Sequence, residues 1–315
     1  MIEVSQVTKK YGDRIALDAI SFKVEPGEVV GLLGPNGAGK STTMKIITGF
    51  MSPSSGKVTV GGIDIFDQPI EAKKKLGYLP ETPPVYLDMF VEDYLHYVAR
   101  LKGVDKKERD VFVQMALVKT QLENVRSRLI GNLSKGFRQR VGLAQSIVSN
   151  PEILILDEPT VGLDPKQVAE MRDLIRELKG KRTIMLSTHI LSEVEAVCDR
   201  VVIIHQGKIV AQDKIANIQA LKKANLQIHL KIRNPGLTAE DLKSISGVTK
   251  VHMLSPLFFE LTIGATESEV NTTDLVADYV LKKKFGIVEI SAVESQLEQM
   301  FLDLTYGQKP NEANL

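Results

Sequence analysis

Hydrophobic and polar residues alternate in the first segments of the chain, "IEVSQV" at 2–7 and "IALDAISFKV" at 15–24. Alternation with a period of two predicts β-strands that bury one face. "EVVGLLG" at 28–34 and "EILILDEP" at 152–159 are instead nearly continuous apolar runs, typical of strands buried on both faces of a parallel sheet. Helical patterns alternate with these strands. The chain therefore predicts an α/β core with a mainly helical subdomain at about 88–148.

A different pattern begins after about residue 215. It predicts the order β-α-β-β-α-β and one further helix, with strands at 226–232, 248–254, 257–263 and 286–292 and helices at 238–246, 269–284 and 294–304. This order is that of a ferredoxin-like split βαβ unit, a small α+β fold. We therefore expect a core domain over 1–215, an accessory domain over 216–305 and a frayed tail over 306–315.

Composition and charge mainly exclude functions. The 315 residues are 43% hydrophobic and 25% charged with a net charge of +1, an ordinary balance that does not indicate a nucleic-acid partner. Cys198 is the only cysteine, which excludes an intrachain disulfide and fits a reducing cytosol. The N-terminus lacks the apolar segment of a secretion signal, and no apolar run approaches the roughly 20 residues that span a bilayer. Work at a membrane would require a membrane partner.

The segment "GPNGAGKS" follows an apolar strand and precedes a helix, the context in which G-x-x-x-x-G-K-[ST] binds phosphate. Its glycines let backbone N–H groups surround a phosphate, and the helix N-terminus adds a favourable dipole. Lys40 is expected to neutralise the β- and γ-phosphates, and Ser41 to offer Mg²⁺ a hydroxyl ligand. The predicted nucleotide-binding residues of this loop are Gly34, Pro35, Asn36, Gly37, Ala38, Gly39, Lys40, Ser41 and Thr42.

Two carboxylates follow the apolar strand in "ILILDEP", residues 153–159. Asp157 emerges at the strand end, where it can hold Mg²⁺ directly or through water. Glu158 is adjacent and can polarise an attacking water as a general base. Two acids at a strand end often just open a helix. The phosphate loop upstream favours the catalytic interpretation.

A second candidate anion site lies in "NLSKGFRQRVGLAQ" at 132–145. Ser134 is predicted to cap a helix that begins near Phe137, and the helix dipole with the N–H of Gly136 would favour a phosphate. Lys135 would add positive charge there. The residues alone do not explain why one chain carries two such sites.

Five motifs in this order resemble the ATPase subunit of an ABC transporter over residues 1 to about 215. They are the phosphate loop at 34–41, "LSKGFRQ" at 133–139, "ILILDEP" at 153–159, "GLDP" at 162–165 and "STH" ending at His189. The resemblance implies a P-loop NTPase core that hydrolyses ATP with Mg²⁺. It also implies a second ATPase subunit, expected to be an identical copy. A separately encoded integral-membrane permease would hold the pair at the cytoplasmic face of the membrane.

The resemblance also implies roles for single residues. Tyr11 occupies the position of the aromatic that stacks on adenine, although stacking accepts any base and does not by itself establish ATP over GTP. His189 resembles the histidine that contacts the γ-phosphate and orients the water with Glu158. Asp164 resembles the aspartate of the loop that crosses the dimer interface. The residues expected to bind the opposite subunit's ATP are Ser134, Lys135 and Gly136.

The chain departs from the family pattern at three positions. Glu81 replaces a glutamine whose oxygen meets Mg²⁺, and we expect the glutamate to bind the metal more strongly. Lys135 and Phe137 replace glycine and glutamine. The three together resemble an exporter branch related to gliding-motility, copper-site-assembly and antibiotic-resistance ATPases. By the same resemblance, "TPPVYLDMF" at 82–90 lines a groove for the permease, or else it packs the helical subdomain.

Other classes fit less well. A soluble ABC ATPase of DNA repair would carry a long coiled coil, but about fifty residues separate Glu81 from the signature at 133–139. A translation-type ATPase would carry two cassettes in one chain. A GTPase would need an Asn-Lys-x-Asp segment, which the chain lacks. A module that binds without hydrolysing is disfavoured because the chain has Glu158 and His189. The transported substrate is not indicated.

Overall fold

A computed structural model of the protein describes residues 1–217, 226–264 and 269–292. The chain divides into two compact units, Met1–Ile215 and Ala216–Leu315. The predicted helix at 294–304 and the predicted tail at 306–315 lie outside the described residues. Within the described ranges, no helix combines the length and the apolarity needed to cross a bilayer.

The first unit contains an antiparallel sheet with the strand order β2-β1-β4-β5. Its strands are β1 (Ile2–Tyr11), β2 (Arg14–Val24), β4 (Ser55–Val60) and β5 (Ile63–Asp64). Gly61 and Gly62 connect the last two strands with φ values of 59° and 80°, so the predicted hairpin turn is confirmed. The alternating burial of β1 matches the alternation in its sequence.

The same unit contains a six-stranded sheet in the order β10-β9-β3-β8-β7-β6, parallel except for β10. Its strands are β3 (Val29–Leu33), β6 (Leu76–Leu79), β7 (Ile153–Asp157), β8 (Thr183–Thr188), β9 (Arg200–His205) and β10 (Lys208–Lys214). Every residue of β3, β7 and β8 is buried, which explains their continuous apolar sequences. Carboxyl ends of parallel neighbours share one sheet edge, so the segments after β3, β6, β7 and β8 meet there.

Besides two short 3-10 helices at Glu123–Val125 and Ile130–Asn132, seven α-helices accompany these sheets between residues 40 and 197. They are α1 (Lys40–Ile47), α2 (Pro69–Lys74), α3 (Val91–Leu101), α4 (Arg109–Lys119), α5 (Lys135–Ile147), α6 (Pro165–Leu178) and α7 (Leu191–Val197). Helices α3, α4 and α5 lie within the segment 88–148, where the helical subdomain is predicted, and pack on one another. The predicted start of α5 near Phe137 was two residues late: Ser134 is the N-cap, so the helix begins at Lys135.

The described part of the second unit has the order β11-α8-β12-β13-α9-β14. These are β11 (Leu226–Ile232), α8 (Ala239–Lys243), β12 (Val248–Ser255), β13 (Phe258–Ile263), α9 (Glu269–Lys282) and β14 (Ile287–Ala292). The sheet order is β12-β13-β11-β14, with every neighbour antiparallel, as in a split βαβ unit. Alternate residues of β13, Phe259 and Leu261, pack in the core with Val276 of α9.

Candidate functional site

The loop between β3 and α1 is built around a buried lysine. Lys40 is 5% exposed, and its Nζ donates to the backbone oxygens of Gly34 at 2.8 Å and Pro35 at 3.2 Å. Gly39 has a φ of 111°, and a Cβ there would lie 2.7 Å from Leu17 Cδ2, so glycine is required at this position. The loop therefore holds an ammonium group at the N-terminus of α1, where the helix dipole also favours an anion.

One cavity of about 790 Å³ opens at this loop and gathers most of the predicted site residues. From the predicted set it is lined by Tyr11, Asn36, Gly37, Gly39, Lys40, Ser41, Thr42, Glu81, Glu158 and His189. The remaining predicted loop residues, Gly34, Pro35 and Ala38, do not line the cavity. The N–H of Ala38 donates to the backbone oxygen of Pro35 at 3.2 Å within the loop. Tyr11 is 46% exposed, and its hydroxyl donates to Met51 Sδ at 2.8 Å. The ring of Tyr11 is thus anchored and accessible for stacking.

Glu158 connects Lys40 to His189 across this cavity. One carboxylate oxygen lies 3.1 Å from Lys40 Nζ, and the other accepts a hydrogen bond of 3.0 Å from His189 Nδ1. The φ of Glu158 is 48°, a left-handed conformation that is uncommon outside glycine. Its backbone N–H donates to Ser187 Oγ at 2.9 Å, which helps to hold that conformation. Backbone strain of this kind concentrates at functional sites, and here it lies at the residue between the cation and the imidazole.

Asp157 ends β7 beside this pair and is 2% exposed. Its Oδ1 accepts hydrogen bonds from Ser187 Oγ at 2.5 Å and Ser41 Oγ at 3.4 Å. Burial raises the pKa of the Asp157 carboxyl above its ordinary value, the two serine hydrogen bonds oppose the rise, and the charges of Glu158 and Glu81 add to it. Carboxylate and hydroxyl oxygens are hard ligands that suit Mg²⁺, and a cation would relieve this repulsion, so these residues fit the metal.

The three signature residues lie elsewhere and do not line the cavity of their own chain. Ser134 Oγ accepts a hydrogen bond from the Phe137 N–H at 3.4 Å and so caps α5. Ser134 and Lys135 are exposed, whereas Gly136 is buried. A Cβ at Gly136 would collide with the side chain of Gln167, so this glycine allows α5 and α6 to approach closely.

The turn before α6 contacts the signature segment of the same chain. Lys135 Nζ lies against Gly162, whose φ is 70°, in the space that a side chain there would fill. Asp164 caps α6, because its Oδ1 accepts a hydrogen bond of 2.9 Å from the Gln167 N–H. Lys135 and Asp164, which are expected to act toward a second subunit, therefore also have contacts within their own chain. Asp164 is exposed.

Several residues that line the cavity belong to none of the sequence motifs. Arg14, Ile15 and Ala16 at the start of β2 line it, as do Val161 and the turn Gln206-Gly207. That turn joins β9 to β10, and the N–H of Gly207 donates to the Ala38 oxygen at 2.9 Å. The sequence marks "HQG" as a turn. Only the pairing of β9 with β3 brings this turn beside the phosphate loop.

Comparison with known proteins agrees with this geometry. A profile of the ABC transporter family matches residues 17–161. An uncharacterised ABC transporter ATP-binding protein of Methanocaldococcus jannaschii is 43% identical over 218 residues, which cover 69% of this chain and 79% of that protein. The Nod factor export ATP-binding protein I of Burkholderia thailandensis is 38% identical over 213 residues, which cover 67% of this chain and 70% of that protein.

A solved structure shows the same architecture. It is the dimeric post-hydrolysis state of an ATP-binding cassette bound to ADP and Pi, with a TM-score of 0.63 at 25% identity. The alignment covers 68% of this chain and 99% of that cassette. The chain belongs to the ABC transporter family as an ATP-binding subunit. Its core is a P-loop ATPase cassette, and it binds and hydrolyses ATP.

Proposed function

We propose that this chain powers an exporter and hydrolyses ATP in the cavity of about 790 Å³ at the phosphate loop. One observation carries the assignment of hydrolysis to this cavity. Glu158 lies 3.1 Å from Lys40 Nζ and 3.0 Å from His189 Nδ1 in that cavity. A phosphate-binding cation, a carboxylate base and an imidazole therefore meet in one space large enough for a nucleotide.

The contacts of Glu158 suggest how its role changes when ATP binds. The γ-phosphate would replace the carboxylate as the partner of Lys40, because both are anions that the same ammonium neutralises. The freed oxygen of Glu158 then accepts a proton from the attacking water. His189 keeps its hydrogen bond to the other oxygen and holds the carboxylate in orientation. Tyr11 offers its exposed ring to the adenine.

Three residues would hold Mg²⁺ together with the phosphates: Ser41, Glu81 and Asp157. The metal, when bound, neutralises charge that develops on the β- and γ-phosphates. Ser41 Oγ already lies 3.4 Å from Asp157 Oδ1, and Glu81 is exposed on the same cavity. Burial and the negative charges of Glu158 and Glu81 disfavour the charged form of Asp157 when no cation is bound. A bound Mg²⁺ would compensate these negative charges and favour the carboxylate form, which is the form that binds a metal.

A second copy of the chain supplies the groups that complete each nucleotide site. Ser134, Lys135 and Gly136 do not line the cavity that holds Lys40, so in our proposal they complete the cavity of an identical partner. Asp164 lies in the loop between the two sites. A relative of this cassette was solved as a dimer, which supports this arrangement. In the same proposal, the second unit is an accessory domain carried by each copy.

A membrane permease is the proposed partner of the dimer, which would then lie peripherally at the cytoplasmic face. Support comes from relatives named as ATP-binding proteins of transport, one of them a Nod factor export protein. Segment 82–90 offers a docking surface, since Tyr86, Leu87 and Phe90 are 50%, 52% and 46% exposed. Apolar side chains this exposed are typical of a contact surface.

The test is Glu158→Gln in the full chain. The amide keeps the size of the side chain but removes the base. We expect phosphate release to fall at least about a hundredfold while ATP binding is retained. Turnover within about tenfold of the original chain would contradict the role of Glu158. Co-purification of the tagged chain with an integral-membrane protein tests the permease, and its failure would leave the ATPase assignment untouched.

A further inference from the structure

A buried carboxylate outside the described cavity joins the segments that carry Glu158 and His189. Glu193 lies on α7 and is 5% exposed. One carboxylate oxygen accepts a hydrogen bond from Thr160 Oγ1 at 2.7 Å, and the other accepts one from Thr188 Oγ1 at 2.6 Å. Both threonines are buried as well, at 7% and 0% exposure. Burying a carboxylate is unfavourable unless its oxygens are satisfied, and here each oxygen has a hydroxyl donor.

Thr188 is the last residue of β8 and directly precedes His189. Its Oγ1 donates to Glu193 and also accepts a hydrogen bond from the Ile190 N–H at 3.1 Å. The hydroxyl of the residue before His189 therefore bonds to the N–H of the residue after it and to Glu193. This pair of bonds fixes the turn from which the imidazole extends.

Thr160 follows Glu158 by two residues in the turn after β7. The N–H of Val161 donates to the backbone oxygen of Glu158 at 3.2 Å, and the N–H of Leu163 donates to the backbone oxygen of Thr160 at 3.2 Å. Because Glu193 holds the side chain of Thr160, it holds this turn as a unit. The carboxylate thus spans from the turn of Glu158 to the turn of His189.

The helix that carries Glu193 is itself held closely on the sheet. A Cβ at Gly31 of β3 would lie 2.9 Å from Val194 Cγ1 and 3.1 Å from Cys198 Sγ. The glycine therefore allows α7 to pack directly on the strand that leads into the phosphate loop. Glu193 extends from a fixed position, which is what a side chain needs to fix others.

We propose that Glu193 is a positioning residue for hydrolysis. It fixes the distance between the turn that carries Glu158 and the turn that carries His189. At this distance the two side chains form their hydrogen bond of 3.0 Å. The inference rests on the proposed function, in which those two side chains act on the attacking water. Glu193 does not itself line the cavity or touch the nucleotide site.

Glu193→Gln in the full chain is the first test. Glutamine keeps one oxygen and replaces the other with an NH₂ group, so it cannot accept from both threonines. We expect kcat to fall about tenfold, the lower end of what partners of directly acting groups contribute. The KM for ATP should stay within about twofold, because the phosphate loop is unchanged. Glu71→Gln, on the exposed surface of α2, is the matched control and should leave both values unchanged.

A second pair of variants decides the question if Glu193→Gln does not yield folded protein. Thr160→Val removes the hydroxyl at nearly constant shape, and Thr160→Ser restores it. We expect the valine variant to lose about tenfold in kcat and the serine variant to recover most of it at similar melting temperature. A kcat of the valine variant equal to or above that of the serine variant would overturn the inference, because a purely packing role would favour valine.

Comparison with Glu158→Gln distinguishes a failure of the positioning role of Glu193 from a failure of the proposed role of Glu158. If Glu158→Gln loses turnover while Glu193→Gln and Thr160→Val keep theirs, the positioning role alone is wrong. If Glu158→Gln keeps turnover, the proposed role of Glu158 is wrong and the positioning role with it. A rise in KM at constant kcat in the Glu193 variant would also contradict positioning, since it would place the effect on ATP binding.

Discussion

The chain has two loops suited to anions, at 34–42 and at 134–136, and they differ in what surrounds them. Lys40 of the first loop is buried and forms an ion pair with Glu158, which in turn contacts His189. Ser134 of the second loop is exposed and caps its own helix. Among the ion pairs of the described residues, Lys40 has one and Lys135 has none. The first loop carries reacting groups in its own chain, whereas the second offers only binding groups.

The different surroundings explain why one chain would carry two anion-binding loops. A helix N-terminus with a capping serine can stabilise a phosphate, but hydrolysis also needs a base and a positioned water. The two groups assigned to these tasks, the Glu158 carboxylate and the His189 imidazole, line the cavity at the first loop. The second loop is therefore useful when it meets the first loop of another copy.

The largest effect is expected for Lys40→Ala. Without the ammonium, the loop loses the charge that opposes the β- and γ-phosphates. We expect phosphate release to fall at least about a hundredfold. Lys74→Ala, on the exposed surface of α2, is the control and should change turnover by less than about twofold. A Lys40 variant with a tenth or more of the original rate would remove the first loop from the mechanism.

A smaller effect is expected for Ser134→Arg, which blocks the second loop. ATP binding by each chain should stay within about twofold, because Ser134 does not line the cavity of its own chain. Turnover should fall about tenfold or more, since the clamp on the partner's phosphate is lost. Loss of the cap costs about 1 kcal/mol of stability, so a melting curve must accompany the assay. Ser134→Thr keeps a capping hydroxyl and should retain most activity.

Glu81→Gln should have a moderate effect on the metal requirement. The change restores a neutral oxygen ligand and removes one of the charges that raise the pKa of Asp157. We expect the Mg²⁺ concentration for half-maximal turnover to rise about two- to fivefold, because a carboxylate binds a hard cation better than an amide does. Glu71→Gln again serves as the control. Unchanged Mg²⁺ dependence and turnover would make Glu81 a bystander.

The smallest effect on turnover is expected for Glu28→Gln, away from both loops. Arg200 contacts Glu28 with Nε at 2.8 Å and a second nitrogen at 3.1 Å. Burial acts to raise the pKa of Glu28, but hydrogen bonds from Arg200 and from the Glu25 N–H outweigh it and lower the pKa. The variant should lose about 1 kcal/mol of unfolding free energy at neutral pH and keep its turnover.

The pH dependence of that loss follows from the direction of the shift. A lowered pKa in the folded chain stabilises the fold above the ordinary glutamate pKa. This contribution disappears as the pH falls through the lowered value. The stability difference between the original chain and Glu28→Gln should therefore shrink in acid. An equal difference at pH 7 and at pH 3 would show that the charge of Glu28 is not its source.

The sequence was sufficient for the groups that stand in short motifs. Lys40, Asp157 and Glu158 each follow a continuous apolar strand, and parallel pairing of such strands places their ends together. It could not show Gln206, which the pairing of β9 with β3 places beside the phosphate loop, or Glu193, whose bond to Thr160 joins distant segments. The direction of Lys135 toward Gly162 also depends on how α5 meets the turn before α6.

The second unit shows the same limit. The alternation of its residues predicts the order of strands and helices that the structure has, and Thr238 and Asp241 form a capping box at the start of α8. The order β12-β13-β11-β14 is a property of long-range pairing, which periodicity does not encode.

If the second loop completes the first loop of another copy, ATP should hold two chains together, and sedimentation velocity with ATP measures that association. Glu158→Gln slows hydrolysis, so ATP stays bound during the measurement. We predict that this variant sediments as a dimer that holds two ATP, and that Glu158→Gln combined with Ser134→Arg binds one ATP per chain as a monomer. A Glu158→Gln chain that stays monomeric at saturating ATP, or a dimer that survives Ser134→Arg, would contradict the account.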